Sequence, residues 1–81
     1  MNIAKETARS VREAIASSNR SRRSITDETG IPYSTMNRKI SGKAEFSLSE
    51  LCAIAETTGS EPWELLPKTF LPRAYREKET A

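Results

Sequence analysis

Residues 21–43, SRRSITDETGIPYSTMNRKISGK, decide how this chain is to be read. Ser21 can cap a helix of barely two turns over about residues 22–29, with Ile25 as its main apolar contact and Thr26 small enough for close approach. Gly30 stops that helix, because glycine takes the left-handed cap conformation without a steric cost. Pro32 then starts a helix rather than breaking one, since its missing N–H falls in the first turn, where it would be unpaired anyway. This third helix is predicted over about residues 32–41, with Ile31 as a core anchor before it and Gly42 as its stop. Only Met36 and Ile40 are apolar at helical spacing, beside the cations Arg38, Lys39 and Lys43. A stripe that narrow leaves most of the helix surface for something other than the core.

The flanking sequence supplies more helices. Ile3, Thr7/Ala8, Val11 and Ala14/Ile15 recur with a 3.6-residue period, so a first helix is predicted to about Ser18, capped by Asn2 and ended by Asn19. Ser47-Leu48-Ser49-Glu50 is a capping box and opens a fourth helix, whose apolar face is read as Leu48, Leu51/Cys52 and Ile54/Ala55 and whose stop is Gly59. Ser60 is expected to cap a short fifth helix, EPWELL, with Pro62 in its first turn, Trp63 and Leu66 facing inward and Pro67 closing it. The final stretch, PKTFLPRAYREKETA, can fold back on the core, form an extended dimer arm or hang free, and beyond about Tyr75 disorder is expected.

Length and composition narrow the function. A chain of 81 residues is read as one small domain, and 36% hydrophobic with 30% charged residues describes a soluble globule whose core is aliphatic. The single Cys52 forms no internal disulfide and is expected to be a small buried apolar residue. With no histidine, zinc fingers and histidine-based catalysis lack their groups. No Gly-rich phosphate loop or evident carboxylate pair is present either, so neither an enzyme nor a cofactor or metal site is expected. No apolar run approaches the roughly 20 residues of a membrane span, and no signal-peptide stretch opens the chain, so a cytoplasmic location without membrane attachment is expected.

Charge adds a direction. Through residue 43 there are nine cations against four acids, a net +5, and after it four against seven, a net −3. That asymmetry suits a polyanionic partner facing the first half of the chain. A short second helix joined to a third by a glycine-containing turn is the plan of a helix-turn-helix DNA reader, in which the third helix enters the major groove and must keep its outer surface polar.

SRRSITDETGIPYSTMNRKISGK resembles the helix-turn-helix of the Cro and lambda-repressor family, the xenobiotic-response-element-like regulators, and FSLSELCAIAETTGSEPWELLP resembles the two helices that follow it there. The turn is of the kind found in small actinobacterial and actinophage regulators. The resemblance covers roughly residues 3–67. It implies an all-α, compact five-helix lambda-repressor-like DNA-binding domain at residues 1–67, with residues 68–81 as a C-terminal tail. The implied function is sequence-specific binding of double-stranded operator DNA as a transcriptional repressor of Cro type. The implied partner besides DNA is a second copy, as a homodimer formed in solution or only on DNA, with Trp63 to Leu71 and the tail as candidate surfaces. The alternative is a helical protein-interaction module of the same fold, such as an antitoxin or a coactivator.

By the same resemblance the base-reading positions fall on Tyr33, Ser34, Asn37 and Arg38. Their chemistry is suitable, since Arg38 can donate twice to guanine, Asn37 can pair with adenine, Ser34 can serve a base or a phosphate, and Tyr33 can touch a thymine methyl or a phosphate. A solvated helix face would hold the same residue types. Phosphate contacts are expected from Arg22 with Arg20 and Arg23 beside it, and on the other flank from Lys43 and Lys39. The sequence departs from the family pattern at Ile40, where a glutamate that usually meets a first-helix arginine is missing, so Arg9 or Arg12 is expected to be free for phosphate. It departs again at Tyr33, where the family often has glutamine.

Overall fold

Asn2 Oδ1 accepts the Lys5 N–H and begins α1, Ile3–Ser18, in the computed structural model of the protein, which describes residues 2–70. Asn19 ends α1 in the left-handed conformation (φ 60°). Ser21 caps α2, Arg22–Thr29, by accepting from the Ser24 N–H, and Gly30 closes it with φ 80°. After the turn Gly30-Ile31-Pro32 comes α3, Tyr33–Ile40, one residue shorter at each end than expected, with Pro32 at the cap position rather than inside the helix. The capping box forms as read: Glu50 N–H donates to Ser47 Oγ, Ser47 N–H donates to Glu50 Oε1, and α4 runs from Leu48 to Thr58 before Gly59.

The fifth helix is not an α-helix. Pro62–Leu65 is a 3-10 turn, carried by Glu64 N–H to the Glu61 carbonyl and Leu66 N–H to the Trp63 carbonyl. Pro67 explains the difference: a residue before proline is driven out of the α region, and Leu66 is extended (ψ 149°), which leaves too few residues for an i to i+4 ladder. The cap also shifts. Glu64 Oε1 accepts the Glu61 N–H, while Ser60 instead shares a hydrogen bond with Thr58. The tighter winding turns Leu65 into the core, where Leu66 packs against it half-buried as expected, but leaves Trp63 37% exposed, against the expectation that it points inward. A second 3-10 turn, Lys68–Phe70, follows. The disorder expected beyond Tyr75, and the tail from Leu71 on, fall outside the described residues.

Among the described residues there are thus four α-helices with short 3-10 turns and no strand, a compact all-α globule. α1 packs on α3 and α4, and α2 packs on α4. The shared core is Val11, Ala14, Ile25, Ile31, Met36, Ile40, Phe46, Leu51, Ile54, Ala55 and Leu65. Thr7 and Thr26 are also buried, and each hydroxyl donates to a carbonyl of its own helix, from Thr7 to Ile3 and from Thr26 to Arg23. α4 buries a narrower stripe than its composition suggests. Leu48 is 70% exposed and the Cys52 thiol is exposed, so neither belongs to the core as expected. None of the described helices is long and apolar enough to cross a membrane.

Candidate nucleic-acid interface

Successive residues of an α-helix stand about 100° apart, so the eight residues of α3 divide into four sides. Met36 and Ile40 face the core, fully buried or nearly so. Tyr33 and Asn37, four residues apart, face α2. Thr35 and Lys39 lie on the opposite flank, and Lys39 there meets the start of α4. Ser34, Arg38 and the capping residue Ser41 form the outer ridge, and all three are exposed. α3 contains no acidic residue.

The flank toward α2 is held by two contacts. Arg22 Nη1 donates to Asn37 Oδ1 at 2.7 Å, and the Arg23 guanidinium lies over the Tyr33 ring, 4.3 Å from its centroid. The first two residues of α2 are thereby tied, one each, to the two inward-leaning polar positions of α3. Arg23 gives Tyr33 a partner in the protein itself, a cation–π contact, which the sequence leaves unassigned.

The other flank is closed by an ion pair. Lys39 Nζ donates to both Glu50 oxygens, at 2.6 and 2.7 Å, with the two side chains only 18% and 20% exposed. Burial would raise the Glu50 carboxyl above its usual range, but the Lys39 ammonium and the Ser47 N–H and hydroxyl together outweigh it and hold it lower. Lys39, expected at phosphate, is committed to α4. Arg20 is similarly engaged: it makes a bidentate pair with Glu28 at 3.1 Å and also donates to Ser24 Oγ and the Thr57 carbonyl, so it joins α2 to the end of α4. Its hydrogen bonds, then its charge, hold the Glu28 carboxyl below the ordinary value. Lys43 and Arg38 remain exposed and form no ion pair with a described residue.

The end of α3 is fully accounted for. Of its last four carbonyls, Asn37 accepts the Ser41 N–H, Arg38 accepts the Lys43 N–H, Lys39 accepts the Gly42 N–H, and Ile40 accepts Arg12 Nη1 at 2.6 Å. The Gly42 and Lys43 bonds make a Schellman turn, for which Gly42 has φ 83°; a Cβ there would also sit 3.1 Å from Lys5 Cγ. Arg12 is therefore not free, although no glutamate stands at position 40. It caps the helix end instead. Arg9 pairs loosely with Glu13, at 3.8 Å on the surface.

Two residues hold α3 in ways the sequence does not predict: Glu50, expected only in the α4 capping box, pairs with Lys39, and Arg12, expected to be free for phosphate, caps Ile40. The first has a signal, because Thr35 and Lys39 share a flank by spacing alone. The second has none, because a backbone acceptor leaves no mark in sequence.

Between the start of α1, the start of α4 and the chain after Leu65 lies an apolar groove of about 390 Å³, lined by Ile3, Phe46, Leu48, Leu66 and Phe70 together with Glu45. Among the described residues no group of cysteine and carboxylate side chains comes together as a metal site. No protein-family model, curated protein or solved structure matches the chain.

Proposed function

We propose that this chain is a sequence-specific double-stranded DNA-binding protein of the Cro and lambda-repressor type, a helix-turn-helix operator repressor that places α3 in the major groove. The observation that carries this reading is the outer side of α3: an exposed ridge of Ser34, Arg38 and Ser41, free of acids, on a short helix locked on every other side. A helix about 10–12 Å across fits a groove about 12 Å wide. Arg38 on the ridge donates to a guanine edge, while Arg23 and Lys43, with the amides at the start of α2, lie toward phosphate. Lys39 and Arg20 serve the frame that holds those groups.

Two copies read a palindromic operator, with half-sites about one helical turn apart. The second copy is assigned to the apolar groove, because residues 45–48, which border it, directly follow the turn that closes α3. A two-fold axis there brings the ends of two α3 helices toward each other. The rival role, a helical protein-interaction module, would give the same groove to a different protein.

Selection from a random duplex pool tests the reading. Enrichment of a defined sequence is expected, with affinity falling steeply with salt, log K changing by about −0.9 per log salt for each phosphate neutralised. No binding to any duplex at about 50 mM salt, where such contacts are strongest, would overturn it.

A further inference from the structure

Resting on that reading, we infer that Arg22 and Asn37 form one base-reading unit whose free hydrogen-bonding groups are mainly donors, so that it selects guanine at the step where Asn37 alone would take adenine. The contact between the two side chains fixes the orientation of the amide. A guanidinium carries five N–H donors and no acceptor, so the amide atom facing Arg22 Nη1 at 2.7 Å must be the Asn37 oxygen. The amino group of Asn37 is then turned the other way.

Adenine recognition by asparagine needs both halves of the amide: the oxygen accepts from N6–H and the amino group donates to N7. In this protein the oxygen is engaged by a cation. An adenine amino group reaching it would point its own positive hydrogens at the guanidinium. Guanine instead offers two acceptors, O6 and N7, to a site whose donors outnumber the one lone pair left on Asn37 Oδ1, itself beside a cation. The Asn37 amino group supplies one, and the N–H groups of Arg22 not used on Asn37 supply others. Both side chains are half-buried, so the pair is less screened by solvent than a fully exposed one.

The arrangement separates Arg22 from an ordinary phosphate contact. A phosphate-binding arginine adds affinity to every sequence alike, whereas an arginine that occupies the acceptor of Asn37 alters which base is chosen.

Site selection from a random duplex pool with wild type, Asn37→Ala, Arg22→Met and Arg22→Ala tests it, with the fold of each variant checked by thermal melting. Asn37→Ala identifies the base step by losing preference there. At that step wild type is expected to select guanine. Both Arg22 variants release the amide oxygen and should shift the guanine-to-adenine ratio about tenfold or more toward adenine, within the range of one bidentate base contact. The step read by Arg38 should not change. An unchanged consensus in both Arg22 variants, with all sites weakened alike, would overturn the inference while leaving DNA reading intact, as would adenine selected by wild type at the Asn37 step. Failure of wild type to enrich any sequence would overturn the DNA reading and this inference together.

Discussion

Tyr33 shows how a side chain's neighbour decides its work. From sequence it is an aromatic at the start of a DNA-facing helix, suited to a thymine methyl or a phosphate. In the structure its ring lies under Arg23, and an exposed contact of that kind is worth about 0.5–1 kcal/mol. The ring thus holds a long, otherwise mobile cation at the head of α2. Tyr33→Ala is expected to weaken binding to all DNA sequences by about two- to fivefold, since the lost contact amounts to about 0.5–1 kcal/mol. Tyr33→Phe, which keeps the aromatic face, should bind almost as wild type. Titrations against a selected site and a scrambled one check this, and a loss confined to one base position would show Tyr33 reading a base instead. Ser34 and Arg38 are legible as outward residues because they lie opposite Met36 and Ile40. Tyr33 and Asn37 are not legible in full, because their surroundings belong to α2, and sequence spacing within α3 carries no information about the helix beside it.

At the scale of elements, local signals are the ones that sequence carries well. Asn2, Asn19, Ser21, Gly30, Ser47, Glu50 and Gly59 start or stop their helices through groups within a few residues, so the caps are written in adjacent sequence. The fifth helix fails by the same logic: a pattern of cap, proline and leucines suggests an α-helix, but Pro67 removes its last turn. Arg12 acts across 28 positions to cap Ile40. Arg12→Ala should cost about 1 kcal/mol and speed hydrogen exchange at the Gly42 and Lys43 amides. Arg9→Ala, which breaks only an exposed pair, should change stability by less than about 0.5 kcal/mol. Glu50 joins two elements, and its carboxyl titrates lower when folded than when unfolded. Its contribution is therefore complete above about pH 4.3, the ordinary glutamate value, and is lost as pH falls through the folded value. Glu50→Gln keeps a neutral cap for Ser47 but loses the ion pair with Lys39. Melting curves should show it less stable than wild type by about 1–2 kcal/mol at pH 7, with the two proteins converging in acid; a difference that does not vary with pH would refute the charge argument.

Over the whole molecule, the acid-poor ridge of α3 and the apolar groove are two surfaces that the core leaves unfilled. The spacing of Leu48 from Leu51 and Cys52 suits one helical face, yet among the described residues α4 is covered mainly by α1, α2 and the Pro62–Leu65 turn, with Lys39 of α3 reaching its first turn at Glu50. Those neighbours reach Leu51, Ile54 and Ala55 and stop short of Leu48, which is 70% exposed, and of Cys52. Periodicity reports which residues share a side; how wide a side is buried depends on how many elements the chain supplies to cover it. Leu48 and Phe70, the latter 62% exposed, stand with Ile3 in a single groove, and an apolar side chain left in water there gains about 25 cal/mol for each Å² a second copy covers. A charge at Leu48 removes that gain without disturbing the monomer, since the side chain already faces solvent. Leu48→Asp is therefore expected to melt within a few degrees of wild type and to bind a single half-site equally well. On a two-half-site operator it should lose cooperativity and show one copy bound where wild type shows two, as read by sedimentation or gel shift. If the variant still assembles in pairs on DNA, the two copies meet elsewhere, and the groove must then be assigned to another protein.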